Sequence, residues 1–133
     1  MGRGKFEIEV NDAGNISVDI ELIDGTVWLT KHEIASQFRV FVPAVTANLR
    51  TIFKSRELLE ADVVKLHRFT RRKGENASID LYNLDVIIAL SFRMNGAICK
   101  EFRIWVKEKI KQPIVQYHKM PMIIQLRNTF LPC

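Results

Sequence analysis

The sequence predicts an α+β domain, and three observations predict it. Near the start, Phe6, Ile8 and Val10 alternate with Glu7 and Glu9, and Ile16, Val18, Ile20 and Leu22 alternate with Ser17, Asp19 and Glu21. That period of two marks half-buried strands. From Ile34 to Phe53 the apolar residues instead recur at helical spacing, interrupted by Pro43, and from Leu84 to Ile110 two further apolar helical stretches follow. At 133 residues, 47% hydrophobic and 26% charged, the chain has the content of one ordinary folded core.

Taken in order, the two opening strands are joined by Asn11-Asp12-Ala13-Gly14-Asn15, whose turn chemistry predicts an antiparallel hairpin with an acidic outer face. Asp24-Gly25 is a second turn, after which Thr26 to Leu29 form a short strand with Trp28 packing against the helices. Thr30 is a good N-cap and Glu33 stands three residues on, so a helix starts at about Lys31. Ile34, Ala35 and Phe38 give it one apolar side, leaving Lys31, His32 and Gln37 outward. Pro43 cannot sit inside a continuing helix but suits the first helical position. The chain therefore turns at Arg39 to Val42 and a second helix begins at Pro43, with Val45, Leu49, Ile52 and Phe53 as its stripe.

Ser55 to Asp62 reads as a short polar connection in which Leu58 or Leu59 docks on the core. Val63 to Thr70 and Ala77 to Tyr82 read as strands joined by the basic tip Arg71-Arg72-Lys73-Gly74-Glu75-Asn76. Asn83 or Asp85 caps a helix in which Val86, Ile87, Ile88, Leu90 and Phe92 are largely buried. Asn95-Gly96 stops it. A further helix from about Ala97 buries Phe102, Trp105, Val106 and Ile110 and ends at Pro113. The expected organisation is thus a domain over 1–112 and an apolar tail over 113–133, packed on the domain or on a partner.

Two short helices across a tight turn form a helix-turn-helix, whose second helix enters the major groove, and a basic hairpin after it has the form of a wing. The charge distribution agrees. Residues 1–30 hold two basic and six acidic side chains, residues 31–73 hold ten and four, and the remainder eight and five. A positive excess confined to one segment suits a face turned to phosphates, although a solvated surface has the same look. On this reading Thr46, Asn48, Arg50 and Thr51 face base edges, and Lys31, Arg39, Lys54, Arg71, Arg72 and Lys73 hold phosphates of double-stranded DNA. A helix this short reads a half-site, which predicts a homodimer. Phe41 and Val42 fit poorly: either a neighbouring element buries them, or this edge is not a DNA face. In that second case they and the apolar tail make a protein-interaction surface.

Other chemistry is not written in the sequence. No metal-ligand spacing, phosphate-cradling glycine loop or nucleophile elbow occurs, and His32, His67 and His118 are scattered. Glu57, Glu60 and Asp62 cluster on a connector with nothing to perturb them. The expectation is a non-enzyme without cofactor, metal or small-molecule ligand. No apolar run approaches the ~18 residues of a membrane span and the start lacks a signal core, so a cytoplasmic protein without a membrane partner is expected. Cys99 and Cys133 have no metal spacing, and Cys99 is expected to be a buried thiol.

Several segments together resemble the virulence protein RhuM family, which is similar in outline to phage antirepressor-type N-terminal domains. They are V-W-L-T-K-H-E-I-A-S-Q-F, N-L-R-T-I-F-K-S-R-E-L, Y-N-L-D-V-I-I-A-L-S-F-R-M-N and F-R-I-W-V, in the family's order and spacing. Trp28, Asn83, Asp85, Arg93, Phe102, Arg103 and Trp105 carry the resemblance, which covers roughly Ile16 to Lys111. It implies a bacterial DNA-binding protein without a catalytic site, associated with mobile or virulence-linked genes, and acting as a transcriptional regulator.

Overall fold

A computed structural model describes residues 2–117, with side chains through Lys111. The fold is α+β. Strands β1 (Lys5–Val10) and β2 (Ile16–Glu21) pair antiparallel, with Phe6 opposite Ile20 and Ile8 opposite Val18. Phe6 and Ile8 are buried while Glu7 and Glu9 are exposed, so the alternation in the sequence is the alternation in space. At the tip, Asn11 N–H donates to the Asn15 carbonyl (2.9 Å) and Gly14 N–H to the Asn11 carbonyl (3.0 Å), with Gly14 at φ 85°. The Asn11 side chain accepts from the Ala13 and Asn15 amides.

A second sheet has the order β3-β5-β4, from β3 (Trp28–Leu29), β4 (Val64–Thr70) and β5 (Asn76–Asn83), all antiparallel. Its hairpin tip repeats the first one. Arg71 N–H donates to the Glu75 carbonyl (2.8 Å), Gly74 N–H to the Arg71 carbonyl (2.9 Å), and Gly74 sits at φ 79°. Both tips place glycine fourth, where the left-handed backbone would strain any other residue. Trp28 lines a cleft with Glu33, Ser36 and Gln37. It is half-buried with the Lys65 ammonium 5.2 Å from its ring centre, while its neighbour Val27 is the residue enclosed by the core.

Among the described residues five helices accompany the sheets: α1 (Lys31–Phe38), α2 (Val42–Lys54), α3 (Glu60–Val63), α4 (Leu84–Arg93) and α5 (Ala97–Tyr117). The connection expected between Ser55 and Asp62 contains the single turn of α3, which buries Val63; Leu58 packs on the core and Leu59 is exposed. Asn83 is the cap of α4, accepting from Val86 N–H at 3.3 Å. Phe92 is half exposed (49%) and not core, because it lies two residues on from buried Leu90 and so on the opposite side of the helix. Ser91 takes the enclosed position, its hydroxyl donating to the Ile88 carbonyl at 2.6 Å.

Along α5, Phe102 and Val106 are buried and Trp105 stacks on Phe102 at 5.6 Å. Ile110 is 59% exposed and lines an open apolar groove with Ile20, Leu22 and Trp105. The helix also continues through Pro113 to Tyr117 instead of stopping. Proline removes one helical hydrogen bond, at about 3 kcal/mol, but does not forbid the helix. The apolar stretch from Met120 to Leu131, with His118 and Cys133, lies outside the described residues.

The core is joined at a cluster of three phenylalanines. Phe6 of β1, Phe38 of α1 and Phe102 of α5 have ring centres 6.1, 5.5 and 5.3 Å apart, at interplanar angles of 58° to 72°. Such edge-to-face contacts add about 0.5–1.5 kcal/mol per pair beyond area burial. Gly4, at φ 77°, is needed for this closure: a Cβ there would stand 2.6 Å from the Glu21 carbonyl oxygen and 2.8 Å from Val27.

Candidate nucleic-acid interface

α1 starts as the sequence predicts. Glu33 N–H donates to the Thr30 hydroxyl (3.1 Å) and Thr30 N–H donates to the Glu33 carboxylate (2.8 Å), a complete capping box. Arg3 adds a forked pair to the same carboxylate at 2.8 and 3.1 Å and holds it below the usual carboxylate range. Gln37 is not outward, contrary to the expectation: its side-chain oxygen accepts from Ile8 N–H at 2.8 Å and ties α1 to β1. Phe41 is the N-cap residue of α2, and Val42, one residue before Pro43, is its first helical position.

Both helices end in the same way. After α1, Arg39 N–H donates to the Ser36 carbonyl and Val40 N–H to the Ala35 carbonyl, with Arg39 left-handed at φ 56°, ψ 47°. After α2, Arg56 N–H donates to the Phe53 carbonyl and Glu57 N–H to the Ile52 carbonyl, with Arg56 at φ 63°. This paired closure is the Schellman motif, whose left-handed position usually belongs to glycine. A side chain there costs roughly 1–2 kcal/mol. Arg56 was absent from the expected site because no glycine marks the position.

α2 packs on α1 and α4 through Val45, Leu49 and Ile52. Pro43, Ala47, Arg50, Thr51 and Lys54 are exposed and lie on the opposite face. The four expected base-reading residues therefore do not share a face. Arg50 and Thr51 belong to the open one. Thr46 and Asn48 are half-buried on opposite flanks, about 160° apart around the axis. The Asn48 amide already donates to the Ala44 carbonyl (2.9 Å), and the Thr51 hydroxyl to the Ala47 carbonyl (3.2 Å).

The cations divide by position. Arg3 and Lys5 pair with Glu33 and Asp19, Arg93 pairs with Glu57, Arg103 donates to the carbonyls of Ser91 and Met94, and Lys65 and Lys109 lie over tryptophan rings. By contrast, among the described residues Lys31, Arg39, Arg50, Lys54, Arg56, Arg68, Arg71, Arg72 and Lys73 form no side-chain hydrogen bond or ion pair. Lys100, Lys107 and Lys111 on α5 are in the same state, as an ordinary solvated face would be. The acid-free helix α2 and the hairpin tip are separate elements, and α1 packs against both α2 and β5. Lys31 is the least open of the expected phosphate contacts: it is half-buried and lines a 290 Å³ cleft with His32, Tyr82 and acidic Asp80.

Phe41 is not buried by a neighbour among the described residues. It is 85% exposed, whereas Val40 and Val42 beside it are half-buried against the core. Cys99 is a buried thiol, and burial pushes its pKa up, away from reactivity. Among the described residues no group of three or more His, Cys, Asp or Glu side chains is arranged to hold a metal ion. No helix there is long and apolar enough to cross a membrane.

The residues that carry the family resemblance have structural duties. Asn83 caps the start of α4, Arg103 caps its end, Arg93 ties it to Glu57, and Phe102 with Trp105 anchors α5. Compared with protein-family models, curated proteins and solved structures, the chain matches none.

Proposed function

We propose that this chain is a double-stranded DNA-binding protein of the RhuM type, a transcriptional regulator from a mobile element that works as a homodimer. In this reading α1, the turn at Arg39 to Phe41 and α2 form a helix-turn-helix, and β4 with β5 forms the wing. α2 lies in the major groove with Arg50 and Thr51 toward base edges. Thr46 and Asn48 frame it from the flanks. Arg39, Lys54 and Arg56 hold the backbone around the helix pair, and Arg71, Arg72 and Lys73 hold it at the hairpin tip.

The observation that carries the reading is the division of cations: among the described residues, every one from Lys31 to Lys73 except Lys65 forms no side-chain hydrogen bond or ion pair, while Arg3, Lys5 and Arg93 are engaged. Side chains left with an open charge on one segment suit phosphate. Retention of sequences from a mixed duplex pool at two salt concentrations tests it. Salt-sensitive binding with an enriched half-site is expected. Arg50→Ala should relax the sequence preference, and Lys73→Ala should weaken all sequences alike and reduce the log–log salt slope by about 0.9. Absence of binding at low salt refutes the reading.

The exposure of Phe41 favours a second reading, a phage-derived protein-interaction module that does not bind DNA. A lone exposed aromatic amid open cations is a small apolar patch for that role.

A further inference from the structure

We infer that the amino-terminal end of α2 recognises the C5-methyl groups of thymine, with Phe41 as the specificity-determining contact. The inference rests on the DNA-binding reading above and states what the helix reads there.

A helix of this kind meets base edges with its N-terminal residues. Through Ala47, α2 and its N-cap contain Phe41, Val42, Pro43, Ala44, Val45, Thr46 and Ala47, and no side chain among them can make a forked hydrogen bond to a base. Those that are exposed, Phe41, Pro43 and Ala47, are all apolar. Thr46 is half-buried. The one apolar group that a base pair presents in the major groove is the thymine methyl. Guanine and adenine edges placed here would lose their hydrogen bonds to water without replacement, which disfavours them.

The surroundings keep Phe41 near the duplex. Arg39 and Arg50 are exposed and form no side-chain hydrogen bond or ion pair among the described residues. Among the described residues Phe41 is the most exposed of the large hydrophobic side chains, at 85%. Arg50, about two and a half turns further along and on the exposed face of α2, is the first side chain of the helix able to take a guanine. The expected half-site therefore has thymines at the end entered by Phe41 and a guanine displaced from them toward Arg50.

The test compares the selected duplex with the same duplex carrying deoxyuridine in place of each half-site thymine in turn, since deoxyuridine lacks only the methyl. Affinity should fall about fourfold for each contacted methyl, with no change for substitutions outside the half-site. In Phe41→Ala the thymine and deoxyuridine duplexes should bind alike, and Phe41→Leu should restore part of the preference. Phe41 makes so little contact with the protein that neither variant should alter the melting temperature. Equal binding of both duplexes by the parent chain overturns this inference and leaves the DNA-binding reading intact. No binding of any duplex overturns both.

Discussion

The left-handed arginine at the end of α1 allows stability and binding to be separated by two substitutions at one position. Arg39 stands at φ 56°, ψ 47° with an exposed side chain that forms no hydrogen bond or ion pair among the described residues. A non-glycine residue in this backbone state costs roughly 1–2 kcal/mol. Glycine removes that strain but adds about 0.5–1 kcal/mol of unfolded-state entropy. Arg39→Ala keeps the strain, and both variants lose the same cation near the negative end of the helix, a matter of about 0.3–1 kcal/mol. The difference between them isolates the backbone: Arg39→Gly should be about 1 kcal/mol more stable than Arg39→Ala, the reverse of their order inside a helix. For a chain of this size that is a gap of roughly 3–5 °C in Tm, measured by calorimetry or circular dichroism. In DNA binding the two should be equally weakened, each with a salt slope about 0.9 shallower than the parent. An alanine variant as stable as the glycine one would show that the left-handed geometry is wrong. Parental affinity in both variants would remove Arg39 from the phosphate contacts.

Thr30→Ala should cost about 1 kcal/mol by freeing the first turn of α1, read as faster amide exchange at Glu33. Because Glu33 is held below its ordinary 4.5 by Arg3 and Thr30, its contribution to stability is full above that unfolded value and is lost as pH falls through the folded one. Urea midpoints measured from pH 7 to pH 3 should therefore drop less steeply in Glu33→Gln, which keeps an acceptor for Thr30 N–H but has no carboxylate to protonate. Arg103→Met should cost about 1–3 kcal/mol, because the carbonyls of Ser91 and Met94 lose their donor, and should leave affinity for DNA unchanged.

The strands were legible because burial on one face writes itself directly into a two-residue alternation, and both hairpin tips carry glycine where the backbone turns left-handed. The start of α1 was legible for a similar reason: Thr30 and Glu33 are the two halves of one hydrogen-bonded device. Helix ends were less so. Arg39 and Arg56 occupy positions that glycine normally announces, and Pro113 reads as a stop although a helix can carry proline at a cost. On α2 the buried stripe Val45, Leu49 and Ile52 fixes the phase, and that phase separates Arg50 and Thr51 from Thr46 and Asn48. Polarity alone does not carry that phase. Phe92 and Ile110 show the converse, since apolar character alone does not say which side of a helix meets a partner element.

The phenylalanine cluster couples the two ends of the described chain in time as well as in space. Phe6 cannot meet Phe102 until roughly a hundred further residues exist, and at about 5–20 residues per second the nascent hairpin waits some 5–20 seconds for its partner. Throughout that interval the apolar side of β1 and β2 lacks α5. Closing a contact so distant in sequence carries a loop-closure cost that the local pairs of the hairpin do not, and until it forms the acidic outer face is what keeps the emerging hairpin apart from other chains.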